Sequence, residues 1–296
     1  MFEKLKANIV FEVMSKRRNI DKAYAMVPPT DSWYDTISTV HKSLNEILQL
    51  PHSMLEITSH DGLKLKAVYY PCENSTGATV IFAHGYSSHA EREWAFPGLF
   101  YRSMGYNLLI PYQRSHGPSE GKYISFGALE HQDMLRWVQK VNELHPTDSI
   151  VLHGLSMGGG IVLTLADKPM KNVKCVIADA PTISMAANYR NVVEYNFKSK
   201  REEIARLAIK RFEKKFDVRI DDLEGKNHVA KCLYPLLLSA GSNEKMDDAL
   251  AELKDVNPMD CRVLILPGCS HGNGMYKQTE IYQSAIREFL ARHIGK

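Results

Sequence analysis

A strong charge of either sign is missing from this chain. Its 296 residues carry 37 Lys and Arg against 34 Asp and Glu, a net +3. A protein that lives by neutralising phosphates concentrates a far larger basic surplus on one face. A dedicated nucleic-acid binder is therefore excluded, and small neutral or apolar ligands fit better. Cysteine is sparse: the five, Cys72, Cys175, Cys232, Cys261 and Cys269, are odd in number, scattered, and never spaced C-x-x-C, so neither a disulfide framework nor a zinc site follows. Cys175 sits in an apolar run and reads as a small core residue. The 12 histidines form no H-E-x-x-H pattern, and no metal is expected. A long apolar leader is missing as well. Met1-Phe2-Glu3-Lys4-Leu5-Lys6 is soon followed by Glu12 and Lys16-Arg17-Arg18, which leaves no room for a signal peptide or a stable membrane span and makes a cytoplasmic protein the expectation.

What is present is ordinary globular material, 44% hydrophobic and 24% charged, enough to bury one large core. The first fifty residues have helical character. Phe2, Leu5, Ile9 and Val13 recur at helical spacing, Pro28-Pro29 breaks the chain, and Thr36 to Leu50 makes a second helix. Such a basic amphipathic arm can touch a membrane surface or a partner. The expectation here is that it packs its apolar stripe on its own domain, as an extension spanning 1–50.

From Leu55 the period changes to two. Leu55 to Thr58 and Leu63 to Tyr69, joined by Asp61-Gly62, read as an antiparallel pair. Continuous apolar runs follow at Ala78–Ala83, Asn107–Ile110, Ile150–Leu155, Val173–Ala178, Pro235–Ala240 and Arg262–Leu266, alternating with helical stretches such as Glu130 to Leu144. Eight strands in this pattern predict an α/β fold: a mostly parallel sheet with helices on both faces over residues 51–296. Residues 181–234 are too long for a simple crossover. Val192-Val193, Phe197, Ile204, Leu207-Ala208 and Phe212 recur there at helical spacing, so an insertion of amphipathic helices is expected.

Chemistry gathers at the carboxyl ends of such strands. His153-Gly154-Leu155-Ser156-Met157-Gly158 puts a serine on a sharp strand-to-helix turn, with glycines two before and two after because side chains there would collide. That is a nucleophile elbow, with the Met157 N–H aimed at any oxyanion. His84-Gly85-Tyr86 follows the third strand and can supply a second donor, the Tyr86 N–H. His271, between Ser270 and Gly272 after the last strand, stands where a general base must stand. The loop Pro111 to Gly121 looks superficially like a phosphate cradle, but Gly117 to Gly121 leaves three residues where that pattern needs four; Arg114 and His116 are expected to brace loops instead. A base needs a carboxylate partner, and Asp179, Glu244 and Asp247 all compete, Asp247 with a helix-capping role and Asp179 with a turn to orient.

Gly154 to Gly158, His84-Gly85, the Arg114 to Gly117 loop and His271, in this order, resemble the α/β-hydrolase superfamily, in particular a bacterial group of carboxylesterases with a helical N-terminal extension. The resemblance implies a serine hydrolase acting on small-molecule esters without a cofactor, with Glu244 at the acid position where relatives have aspartate. It also implies that the 181–234 insertion is a cap roofing the pocket, an ordinary surface elaboration being the alternative; if it is a cap, Phe197 and Phe212 are expected to line the pocket. Tyr112 stands where relatives have aspartate and Ser115 where they have glycine. Peptidase-like or thioesterase activity, or a binding protein on the same scaffold that has lost turnover, are the alternatives.

Overall fold

The computed structural model describes residues 2–18 and 30–294. The chain opens with α1 (Phe2–Ser15) and α2 (Ile37–Leu48), then enters β1 (Ser53–Thr58) and β2 (Lys64–Tyr70). It continues through β3 (Ala78–Ala83), α3 (Ala90–Ser103), β4 (Tyr106–Pro111), α4 (Glu130–Leu144), β5 (Ser149–Leu155), α5 (Met157–Thr164) and β6 (Val173–Asp179). After α6 (Met185–Asn196), α7 (Arg201–Phe216) and α8 (Gly225–Val229) come β7 (Leu236–Gly241), α9 (Asp247–Val256), β8 (Cys261–Leu266), α10 (Gly274–Lys277) and α11 (Thr279–Ile294). The strands form one eight-stranded sheet in the order β1-β2-β4-β3-β5-β6-β7-β8. β1 and β2 are antiparallel, as is β2 against β4; every later neighbour is parallel.

The central strands β3, β4, β5 and β7 are buried almost throughout, because helices cover both faces. On one face Met134, Trp137, Ile161, Leu250 and Leu253 close over the sheet; on the other, Ile47, Trp94, Phe100, Ile286 and Phe289 do so. A third apolar cluster lies outside the sheet, where α6 and α7 meet α1 through Tyr189, Val193, Ile204, Phe212, Phe216, Val10, Phe11 and Met14. The 181–234 insertion is thus a helical body, and α1 packs on it rather than on the sheet. No helix among the described residues is long and apolar enough to cross a membrane.

Two sequence expectations change here. In α1 the outward face is the one carrying Phe2, Leu5, Ile9 and Val13, which are 73%, 58%, 51% and 49% exposed; Ala7, Val10, Phe11 and Met14 make the packed face. Both stripes have helical spacing, and only the partner decides which is covered. Phe212 is buried against Tyr189 and Phe216 inside the insertion, and Phe197 lies under the Lys6 ammonium, so both fill the interface of α1 with the inserted helices instead of a pocket wall.

The β4–α4 loop is tied down by charge. Arg114, almost fully buried, donates from Nε and Nη2 to the two oxygens of Asp133 at 2.6 and 2.8 Å and from Nη1 and Nη2 to Asp61 at 3.0 and 3.1 Å. Burial pushes the Asp133 carboxyl up to about 6 in spite of this partner. For Asp61 the guanidinium and the Ser59 hydroxyl outweigh burial and hold it at about 2. Ser115 takes a positive φ of 65° here, which accounts for glycine being the usual occupant, and Tyr112 donates its hydroxyl to Glu91 within the core.

Candidate active site

Ser156 follows β5 directly and opens α5 with φ 57° and ψ −115°, a conformation that L-residues adopt only when their surroundings impose it. The imposition is visible. The Ser156 N–H donates to the Asp179 carbonyl at 2.8 Å, and its own carbonyl accepts from Gly160 and Thr182 at 3.0 and 2.9 Å. A β-carbon on Gly158 would sit 1.9 Å from the Ala83 carbonyl oxygen, and one on Gly154 would sit 2.2 Å from that of Gly158, so neither position admits another residue without moving backbone.

His271 lies in the loop between β8 and α10, and the fold brings it 2.9 Å from Ser156, Nε2 to Oγ. Its Nδ1 lies 2.5 Å from Glu244 Oε2. The Glu244 Oε1 accepts the Gly241 N–H at 2.8 Å, so one oxygen is anchored to the end of β7 and the other is left for the ring. Glu244 is nearly buried on its side chain and His271 is 58% exposed, which puts the carboxylate inside and the imidazole at the surface. A carboxylate at Nδ1 leaves Nε2 free to accept the serine proton.

The competing carboxylates are placed elsewhere. Asp179 is buried among Ser239, His153 and Tyr282. Asp247 lies in the first turn of α9, but the N-cap is Met246 and no side chain caps that end. Asp247 therefore has no capping bond, and only the favourable position of a negative charge at a helix N-terminus remains.

The loop after β3 is held at almost every polar group. Gly85 donates its N–H to Glu93 Oε1 at 2.7 Å and accepts at its carbonyl from His84 Nδ1 at 2.9 Å. The Ser87 N–H donates to His116 Nε2 at 3.2 Å, while His116 Nδ1 donates to the Arg114 carbonyl at 3.0 Å. Burial keeps both histidines neutral by lowering their pKa values, which fits a ring that donates at one nitrogen and accepts at the other. Between these pinned neighbours, the Tyr86 N–H makes no hydrogen bond to the described residues. The Met157 N–H is likewise spare, as the first N–H of a helix has no intrahelical acceptor. The loop adjoins the serine: a β-carbon on Gly85 would be 3.5 Å from that of Ser156.

Sequence reasoning missed three contributors. Glu93, one turn into α3, is a carboxyl that burial pushes up to about 7, against the pull of Ser88, the Gly85 N–H and His271. Trp33 donates its indole N–H to the His271 carbonyl at 3.2 Å, and Asn273 donates its side-chain N–H to the Ser32 carbonyl at 2.9 Å, so residues 32–33, between α1 and α2, strap the histidine loop. No local pattern marks these positions; the Trp33-Tyr34 pair, beside turn residues, is the nearest to a signal. Among the described residues, no group of three or more His, Cys, Asp or Glu side chains could hold a metal ion.

Comparison with known proteins accords with this geometry. The family described as serine aminopeptidase, S33, matches residues 74–224. An esterase of Pyrococcus furiosus superposes with a TM-score of 0.66 at 26% identity, covering 84% of this chain and 94% of that one. An α/β-hydrolase from Vibrio vulnificus covers 98% of this chain and 94% of its own with a TM-score of 0.68; at 17% identity it speaks for the fold alone. Among curated sequences, the uncharacterized protein YqkD of Bacillus subtilis is 29% identical over 143 residues, 48% of this chain and 46% of its own length. The chain thus spans about half the length of the first curated relatives it matches.

Proposed function

Since the chain belongs to the serine aminopeptidase S33 family of the α/β-hydrolase superfamily, we propose that it is a serine-dependent carboxylic ester hydrolase working through an acyl-enzyme. The observation that carries this reading is the continuous chain from Ser156 Oγ to His271 Nε2 at 2.9 Å and from His271 Nδ1 to Glu244 at 2.5 Å. In this reading His271 takes the Ser156 proton as Oγ attacks the ester carbonyl carbon. The negative charge that moves onto the carbonyl oxygen meets the N–H groups of Tyr86 and Met157, which need no reorganisation because their neighbours are fixed. His271 then gives its proton to the leaving alkoxide and the alcohol departs. Water, deprotonated by the same ring, attacks the acyl-serine and regenerates the enzyme. Glu244 holds the tautomer and stabilises the imidazolium. None of these steps calls for a cofactor.

The exposed face of His271, and the fact that among the described residues its ring is the side chain hydrogen-bonded to Ser156 Oγ, suit a neutral ester of small or medium acyl length. The test is covalent labelling by a fluorophosphonate, together with turnover of p-nitrophenyl esters of graded acyl length. Wild type is expected to label at Ser156 and to turn over. Ser156→Ala is expected to do neither while keeping its melting temperature, because one exposed oxygen is lost and no core volume. Unimpaired turnover by that variant would sink the assignment; labelling without ester turnover would favour an aminoacyl-anilide as the next substrate to measure, given the peptidase name of the family.

A further inference from the structure

Helix α1 is apolar on two opposite faces. The inner face is accounted for: Phe11 meets Phe216 and Tyr123 at ring distances of 6.2 and 5.8 Å, and Arg211 lies 4.7 Å over the same ring while pairing with Glu12. The outer face, Phe2, Leu5, Ile9 and Val13, is half to three-quarters exposed along the whole helix. An apolar stripe on an exposed surface, held rigid by packing behind it, is a surface made to be covered. Near it Tyr195, two residues before the Phe197 ring that lies under Lys6, is 91% exposed.

Charge says what covers it. Residues 2–18 hold Lys4, Lys6, Lys16, Arg17 and Arg18 against Glu3 and Glu12, and residues 185–216, which pack on them, hold nine Lys and Arg against four Glu. Those two segments therefore carry +8 while the whole chain carries +3, which leaves −5 for the remainder. The nearly neutral total conceals a basic pair of packed segments. The two acidic residues of α1 are engaged, Glu12 with Arg211 at 2.7 Å and Glu3 beside Lys200 at 3.7 Å. Lys16, three residues beyond Val13, prolongs the apolar stripe with a positive end.

We propose that the outer face of α1, with the basic surface of α6 and α7 beside it, docks the protein on an anionic lipid bilayer. A helix in the plane of a bilayer buries an apolar face among the headgroups while Lys and Arg at its margins meet anionic lipid, and this stripe with its basic flanks has that form. A second copy is the weaker occupant. Four side chains along one helix bury far less than the roughly 1,000 Å² that a stable protein interface needs. The placement has a use. The C-terminal end of the stripe abuts the loop beside Ser156, since Val13 accepts the Tyr86 hydroxyl at 3.0 Å and the Arg18 guanidinium lies 5.4 Å over the Tyr86 ring. A docked molecule holds its reactive serine beside the lipid surface. Docking itself does not depend on the ester reading, because it is measured without turnover.

The experiment is sedimentation of the full chain with vesicles of phosphatidylcholine alone and of phosphatidylcholine mixed with phosphatidylglycerol. The expected result is at least roughly tenfold tighter binding to the anionic vesicles, weakened by salt as screening shortens the reach of the charges, and lost in Leu5→Glu/Ile9→Glu. That variant changes only exposed side chains, so its turnover of a soluble ester and its circular dichroism should match wild type; if it does not fold, Phe2→Ser/Leu5→Gln carries the same test. Equal binding by wild type and variant overturns the proposal, as does failure of wild type to bind anionic vesicles. So does light scattering that finds a wild-type dimer which the variant makes monomeric, since a second copy then covers the face.

Discussion

Glu244 differs from the common aspartate by one methylene, and the structure absorbs it by tying the second oxygen to the Gly241 N–H at the end of β7. On that geometry Glu244→Gln keeps the shape but offers His271 an amide, which can present the wrong partner to Nδ1; in the chymotrypsin example such an exchange costs about four orders of magnitude in kcat. A loss of about a thousandfold or more with an unchanged melting temperature is expected. Asp247→Asn should leave turnover near normal and cost only about 0.5 kcal/mol at the α9 terminus. The reverse ranking in steady-state kinetics would transfer the acid role to Asp247. Glu93 yields a separate test, of pH. Its carboxyl is raised to about 7 by burial, so from the ordinary glutamate range up to that value the folded state keeps a proton that the unfolded state has released. Stability contributed by this group is therefore present at low pH and is lost as pH rises through that window, and it is flat above it. Glu93→Gln retains an oxygen for the Gly85 N–H and removes the titration. Melting temperatures across the window should fall less steeply for the variant than for wild type; parallel slopes would mean that the carboxyl is already ionised in the fold.

At the level of elements, the sheet was readable because continuous β-branched runs have few alternatives: β3 and α4 have the bounds that the sequence pattern predicts. The turns that bring Ser156 and His271 together were readable because glycine marks both. The bracing by Arg114 and His116 was expected from their turn-rich loop, whereas Glu93 was not, since a half-buried carboxyl in a helix has no local pattern to distinguish it from a solvated one. Helix α1 shows the limit most clearly. Phe2, Leu5, Ile9 and Val13 repeat as well as Ala7, Val10, Phe11 and Met14 do, and periodicity names a face without naming what covers it. The inner assignment is testable through Phe11, which is 1% exposed. Phe11→Ala should destabilise the seat of α1 by about 3 kcal/mol and expose residues 2–18 to limited proteolysis well below the global melting temperature. Val13→Ala, on the outer face, should change neither. Similar cleavage of both variants would mean that α1 is not held by the Phe11 side.

Across the whole molecule one buried node joins most of the layers. The Asp179 carboxylate, at the end of β6, accepts from Ser239 of β7 at 2.5 Å and from Tyr282 of α11, and it lies 3.0 Å from His153 Nε2 of β5. His153 Nδ1 in turn lies 3.1 Å from the Tyr101 hydroxyl of α3. Three strands and two helices thus meet at a carboxylate that sits directly beneath Ser156, because the Asp179 carbonyl also accepts the Ser156 N–H. The two roles use different atoms. Main-chain oxygen positions the serine, and side-chain oxygens hold the layers together, so a substitution that spares the backbone should separate them. Asp179→Asn puts an NH2 where two hydroxyl donors and a ring nitrogen converge, and a buried polar network with one member mismatched costs about 3 kcal/mol. For a chain of this size that corresponds to a fall of roughly 6 °C in melting temperature. Near-normal kcat at 25 °C should accompany the fall, with no change in fluorophosphonate labelling. A variant that melts normally but loses turnover would instead make Asp179 part of the reacting chain, and would require His271 to change partners from Glu244.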